Sequence, residues 1–163
     1  MKNILITLAA IVAFSACAQK AATDVRNEFP EAEKVKKSES QWKNELSEAE
    51  FYILREKGTE RAFTSPLNSN KEEGTYLCAA CKLPLFESTT KFKSGSGWPS
   101  FYEPINDVNV AEADDRSYGM VRTEVLCARC DGHLGHVFAD GPQPTGLRYC
   151  INGIALDFEK KKE

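Results

Sequence analysis

Two C-x-x-C pairs, Cys78-Ala79-Ala80-Cys81 and Cys127-Ala128-Arg129-Cys130, constrain this chain more than any other feature. Each pair presents two thiols from adjacent backbone. Two such turns brought together supply four thiolates in a tetrahedron, the arrangement that holds structural zinc. Any fold must then set residues 78–81 beside residues 127–130, across a longer intervening segment than compact zinc ribbons have. Two other readings stay open on the residues alone: redox-active dithiols, or structural disulfides in an oxidising compartment. The redox reading lacks its expected context, since neither pair precedes a long helix in a βαβ unit. A filled four-cysteine shell has no open position for water or substrate, so a metal there holds the fold rather than performing chemistry.

The remaining pattern is that of a mostly β domain. Trp42, Leu46 and Ala49 recur at helical spacing, and Ser47 with Glu50 forms a capping-box signature ahead of Phe51-Tyr52-Ile53-Leu54. Gly58 supplies a stop. One or two short helices are expected between about residues 40 and 57, as a lid on the domain. Beyond Gly58 come short β-type segments broken by Gly, Pro, Asn and Asp: residues 75–77, 83–86, 98–102, 108–111, 120–126, 136–139, 148–151 and 155–158. That spacing reads as antiparallel sheet. At 163 residues, with 42% apolar content, the chain suffices for one packed domain. A net charge of −3 gives no electrostatic case for nucleic acid or an anionic membrane surface as main partner.

The first residues follow the secretory pattern, with Lys2 ahead of the apolar run Ile4 to Phe14 and small residues Ser15 and Ala16. Such a run is too short to span a bilayer as a stable helix. Ala16-Cys17-Ala18 offers an ordinary cleavage site, but Phe14-Ser15-Ala16-Cys17 resembles a bacterial lipobox, whose cysteine becomes the lipidated first residue. The expectation is a signal peptide over residues 1–16, lipidation at Cys17, a flexible tether over residues 17–40 and a folded domain over residues 41–160. The protein is then exported and membrane-anchored in the bacterial envelope on the periplasmic side, touching the membrane only through its lipid; without lipidation it is periplasmic or secreted.

Cys150 is left without a partner. A lone cysteine is by default a small buried hydrophobe, but its neighbours argue otherwise. In Arg148-Tyr149-Cys150-Ile151-Asn152, strand alternation puts Arg148, Cys150 and Asn152 on one face and the apolar pair on the other. A guanidinium two residues away favours the thiolate, the form that attacks electrophiles. The chain's two histidines, His133 and His136, lie directly after the second C-x-x-C pair. One could replace a cysteine on zinc, but four thiolates suffice, which leaves both for proton transfer near neutral pH. Gly95-Ser96-Gly97-Trp98-Pro99-Ser100-Phe101 is a glycine-loosened turn delivering a tryptophan. Alone, Trp98 reads as a core residue.

Together these segments resemble the methionine sulfoxide reductase B family. The resemblance spans nearly the whole domain: WKNELSEAEFYILREKGTERAFT, KEEGTYLCAAC, KSGSGWPSFYEPI, SYGMVRTEVLCARCDGHLGHVFADGPQPTG and RYCIN. It implies the family's β-tent of two antiparallel sheets with short N-terminal helices, and one structural zinc ion on Cys78, Cys81, Cys127 and Cys130. It implies Cys150 as nucleophile, and places Trp98, His133, His136, Asp140, Arg148 and Asn152 around the substrate. The implied activity is reduction of methionine-R-sulfoxide, chiefly in oxidised proteins. A thiolate attacks the sulfoxide sulfur while His133 or His136 protonates the oxygen, Asn152 orients the group and Trp98 encloses the S-methyl. Many members carry a second cysteine in the G-x-G-W-P-S turn to resolve the resulting sulfenic acid; here that position is Ser96. The expectation is therefore a one-cysteine cycle in which an external thiol, from a thioredoxin-like protein or a small molecule, attacks Cys150 sulfenic acid. A retained, unlipidated Cys17 could also resolve it. A monomer is expected. The competing reading is a non-catalytic zinc-ribbon-like binding module; a third, a disulfide oxidoreductase, places reactive thiols at Cys78 or Cys127.

Overall fold

In the computed structural model, which describes residues 33–162, two capping boxes start the fold. Ser47 Oγ accepts from Glu50 N, and Glu50 Oε2 accepts in return from Ser47 N at 2.8 Å, which starts α2 (Glu48–Leu54). Ser38 and Gln41 make the same reciprocal pair for α1 (Glu39–Glu45). Each box satisfies two backbone donors that a helix start leaves open. The helices bury Trp42, Ile53 and Leu54, each 1% exposed, and each such burial contributes about 2–3 kcal/mol. Packing begins before Gln41: Val35 N donates to Arg129 O at 2.8 Å, and its side chain lies against the core. The end of the expected tether is thus bound to the domain. The expected signal peptide, Cys17 and the rest of the tether lie outside the described residues. Among the described residues, no helix is long and apolar enough to cross a membrane.

Among the described residues, nine strands follow: β1 (Gly74–Cys78), β2 (Pro84–Glu87), β3 (Lys91–Phe92), β4 (Ser100–Phe101), β5 (Val110–Asp115), β6 (Arg122–Cys127), β7 (His133–Phe138), β8 (Arg148–Ile151) and β9 (Leu156–Lys160). They form two antiparallel sheets, ordered β2-β1-β9 and β3-β4-β8-β7-β6-β5. The mostly β architecture with two short N-terminal helices is the expected one. Alternation sends Phe101, Val125, Tyr149 and Ile151 from the larger sheet into the core. There Phe101 stacks on Phe86 at 4.5 Å and meets Tyr76 edge-on at 4.9 Å, joining the two sheets through aromatic contacts.

Several strands differ in extent from the sequence reading, and two differences matter for the site. The segment expected at residues 108–111 runs as β5 to Asp115, and that expected at residues 136–139 begins at His133. The glycines and acids read as breakers are instead tolerated within strands. Gly135 is required there: a Cβ on it would lie 2.0 Å from the Cys150 carbonyl oxygen, so only glycine lets β7 approach β8 this closely. The segment at residues 98–102 shortens to Ser100–Phe101, and β3 was not anticipated.

Candidate active site

The register of the larger sheet lays a polar row across the face opposite the core. Cys150 pairs with Ser100 on one side and His136 on the other, and His136 pairs with Glu124. Directly opposed residues point to the same face. Two residues along, Arg148 pairs with Phe138, and Asp115 with Arg122. The Cys150 thiol therefore sits in a field of polar groups, with Tyr149 and Ile151 anchoring its strand from beneath.

His133 and His136 are three apart, so on a regular strand they would face opposite ways. A bulge prevents this. Val125 pairs with Gly135 and Leu126 with His133, which leaves Leu134 as the extra residue and turns both imidazoles to one side. Their ring centroids are 5.5 Å apart. Each ring is held by a carboxylate: His133 Nδ1 lies 2.7 Å from Glu124 Oε1, and His136 Nε2 lies 2.8 Å from Asp115 Oδ2. Burial pushes the His133 pKa down against the opposing pull of Glu124, which favours the neutral ring. Glu124, 3% exposed, is pushed up by its own burial, yet the bonds from Lys57 Nζ, at 2.7 Å, and His133 outweigh that and hold it below the usual range. Asp115 is held further down, chiefly by the Ser117 hydroxyl and backbone N–H, then by His136 and Arg122.

Arg148 grips Asp140 with both arms of the guanidinium, Nε to Oδ1 at 2.9 Å and the terminal nitrogen to Oδ2 at 2.8 Å, and lies 4.4 Å over the Phe138 ring. Asp140 holds the Arg148 pKa up, and the neighbouring Cys150 sulfur adds to this. Trp98 is fixed by its indole N–H, which donates to Glu60 O at 3.1 Å. Asn152 departs from expectation. β8 ends at Ile151, and Asn152, 3% exposed, turns inward, its Nδ2 donating to Leu134 O at 3.0 Å and its Oδ1 accepting from Glu60 N at 3.0 Å. It braces the bulge that carries the histidines, in place of the expected contact on the Cys150 face. Glu60 completes the brace, its buried carboxylate accepting from Gly153 N at 2.6 Å and Ile154 N at 3.0 Å.

The two C-x-x-C turns are equivalent. Cys78 N donates to Leu83 O and Lys82 N to Cys78 O; Cys127 N donates to Gly132 O and Asp131 N to Cys127 O. Lys82 and Asp131 occupy matching left-handed positions, at φ 58° and 56°. The turns bring the four sulfurs within 4.8 Å of one another, with Cys78 Sγ 3.7 Å from Cys130 Sγ and Cys81 Sγ 3.5 Å from Cys127 Sγ. A tetrahedral zinc ion with bonds of about 2.3 Å needs sulfurs about 3.8 Å apart, so the donor set and its spacing fit zinc. Since β1 and β6 belong to different sheets, an ion here joins them.

Glu60, Asp115 and Glu124 escaped the sequence reading. Glu124 had a signal in the alternation of Arg122-Thr123-Glu124-Val125, which puts a carboxylate on the polar face of a half-buried strand. Asp115 had one in Asp115-Arg116-Ser117, a turn-forming pattern. For Glu60, among loop residues, no local signal exists.

Residues 46–160 match the family model of the SelR domain. The chain is 59% identical over 127 residues to a protein of Leptospira interrogans, covering 78% of this chain and 97% of that protein. It is 57% identical over 129 residues to one of Pseudomonas putida, covering 79% and 97%, and 55% identical over 130 residues to one of Methanosarcina mazei, covering 80% and 93%. All three carry the name peptide methionine sulfoxide reductase MsrB.

Proposed function

The chain belongs to the SelR family and is a peptide methionine sulfoxide reductase of the B type, and from that premise we propose that Cys150 reduces the R epimer of methionine sulfoxide, chiefly in oxidised proteins, through a sulfenic acid recycled by an external thiol. The observation that carries this reading is the row in which Cys150 stands directly across from His136, with Arg148 beside it.

The Cys150 thiolate forms a bond to the sulfoxide sulfur while the sulfoxide oxygen takes up a proton. The hydroxyl then passes to Cys150 as the sulfur–sulfur bond breaks. Methionine leaves, reduced by two electrons, and Cys150 is oxidised to sulfenic acid. With carboxylates on His133 Nδ1 and His136 Nε2, the remaining nitrogen of either ring can donate only when the ring is protonated. Burial opposes that at His133. His136, opposite Cys150, is accordingly assigned as the acid, with Asp115 orienting it, and His133 as the buried ring packed beside it. Trp98 encloses the S-methyl, and Arg148, held by Asp140, favours the thiolate. Asn152 and Glu60 hold these elements in place. Cys78, Cys81, Cys127 and Cys130 hold zinc, whose part is to join the sheets.

Ser96 cannot form a disulfide. An external thiol attacks the sulfenic acid and releases water, and a second thiol displaces Cys150 from the mixed disulfide. A thioredoxin-like protein or a small thiol fits this role. The leader supports an exported protein lipidated at Cys17, which the mass of the mature N-terminal peptide tests.

Turnover on separated R and S epimers tests the main reading. The R epimer alone should be reduced, and Cys150→Ser should abolish turnover while zinc content and folding persist. Activity in Cys150→Ser, or equal use of both epimers, overturns it.

A further inference from the structure

The turn that lacks a resolving cysteine brings three hydroxyls to the nucleophile. Ser96 Oγ lies 3.6 Å from Cys150 Sγ. Behind it, Ser94 Oγ lies 2.8 Å from Ser96 Oγ and 2.7 Å from Ser100 Oγ, and Ser100 Oγ lies 3.1 Å from the Trp98 carbonyl oxygen. Gly97, at φ 97°, supplies the backbone reversal that folds the turn onto β4 and β8. Ser100 is 1% exposed and pairs with Cys150 in register, so the chain ends in the sheet itself.

Counting protons fixes how this row can work. Each hydroxyl has one proton to give and two lone pairs to receive. Ser94 Oγ also accepts from Ser96 N at 3.2 Å, and Ser96 Oγ from Trp98 N at 3.5 Å. In a filled row, each of these two hydroxyls accepts one further bond and donates one. The row therefore has two polarities. When Cys150 is a thiol, S–H donates to Ser96, Ser96 to Ser94, Ser94 to Ser100, and Ser100 to the Trp98 carbonyl. When Cys150 carries negative charge, the three bonds from Ser100 to the sulfur reverse: Ser100 donates to Ser94, Ser94 to Ser96, and Ser96 to the sulfur. The carbonyl at the far end gives up its donor so that the sulfur can gain one.

Resting on the assignment of Cys150 as nucleophile, we infer that Ser96 is a hydrogen-bond donor to the Cys150 sulfur, stabilising the thiolate before attack and the sulfenic acid after it, with Ser94 and Ser100 setting its direction. A one-cysteine cycle gives such a group a use. Its sulfenic acid must survive until an external thiol arrives, and in that interval further oxidation by a peroxide gives the irreversible sulfinic acid. The charged and titratable side chains facing the sulfur are Arg148 on its own strand and His136 on the neighbouring one, bonded respectively to Asp140 and Asp115. The turn adds hydroxyls and no charge.

The test measures alkylation of Cys150 by iodoacetamide against pH in the zinc-loaded full chain, read by peptide mass spectrometry, for wild type, Ser96→Ala and Ser96→Thr. Loss of one hydrogen bond to a partly exposed thiolate should move the midpoint up by about one pH unit in Ser96→Ala. Ser96→Thr should restore it. After one turnover in the presence of hydrogen peroxide, Ser96→Ala should also yield more Cys150 sulfinic acid than wild type. Coincident alkylation curves for wild type and Ser96→Ala overturn the inference, as do equal shifts in Ser96→Ala and Ser96→Thr, which mark a steric effect. Cys150→Ser separates the two levels: if it turns over, the nucleophile assignment fails and takes the inference with it. If it is inactive while Ser96→Ala matches wild type, the hydroxyl row alone fails.

Discussion

Replacing Glu60 by glutamine should cost far more than its place outside the reacting groups suggests. The carboxylate is 6% exposed and each oxygen accepts one backbone N–H, from Gly153 at 2.6 Å and Ile154 at 3.0 Å. Glutamine keeps one acceptor and turns an amide donor toward the other N–H. One bond to a charged acceptor is lost, worth about 1.5–3 kcal/mol, and a buried donor is left without a partner, worth about 1–3 kcal/mol more. The middle of the sum is about 3–5 kcal/mol, which for a domain of this size lowers Tm by about 10–18 °C. Because Glu60 O receives the Trp98 indole and Glu60 N feeds Asn152, the loss should reach the site. KM for a sulfoxide peptide should rise before kcat falls. Scanning calorimetry of the zinc-loaded variant with steady-state kinetics measures both. A Tm within 2 °C of wild type would refute the clamp reasoning.

With zinc on the four cysteines as proposed, chelation should unfold the chain, because zinc binding worth about 10–16 kcal/mol in small zinc domains matches or exceeds the net stability of a typical domain, about 5–15 kcal/mol; circular dichroism with metal analysis checks it, and an unchanged Tm in metal-free protein counts against it. Gly135→Ala should destabilise by about 3 kcal/mol or more in urea titration, since the new Cβ meets the Cys150 carbonyl at 2.0 Å and backbone cannot yield cheaply. Asp115, held below its unfolded value of about 3.9, adds stability above that pH which is lost as pH falls through its folded value. Asp115→Asn should therefore lose Tm less steeply than wild type below about pH 4; parallel slopes would remove Asp115 from the linkage.

How legible each feature was follows from how local its cause is. The capping box at Ser47 and Glu50 and the four-cysteine set were readable because three-residue spacings fix them. The row through Cys150 was half readable: alternation placed Arg148 beside the thiol, but which strand lies across from it depends on pairing that one strand does not encode. The histidines show the limit most clearly. Their spacing, read on a regular strand, separates them; they meet only because Leu134 bulges against β6, a property of two strands together. Asn152 shows the same limit. Alternation holds only to the end of β8 at Ile151, and one residue later the backbone leaves the sheet for the turn Gly153–Ala155.

The cysteine quartet and Cys150, the proposed nucleophile, are separate in chemistry but joined in structure. Cys130 precedes His133 by only Asp131 and Gly132, and Gly132 O is tied to Cys127 N at 2.9 Å within the metal turn. The chain thus passes from the second C-x-x-C turn directly into the bulge that orients both histidines. On the other side of that bulge, Leu134 O accepts from both Asn152 N, at 2.8 Å, and Asn152 Nδ2. Leu134 is held from its N-terminal side by the second C-x-x-C turn and from across the sheet by the residue that follows Cys150 by two. An ion on the four cysteines would then act on the site without meeting substrate: through the bulge, its hold on Cys127 and Cys130 would fix His136, the proposed acid, across from the Cys150 thiol.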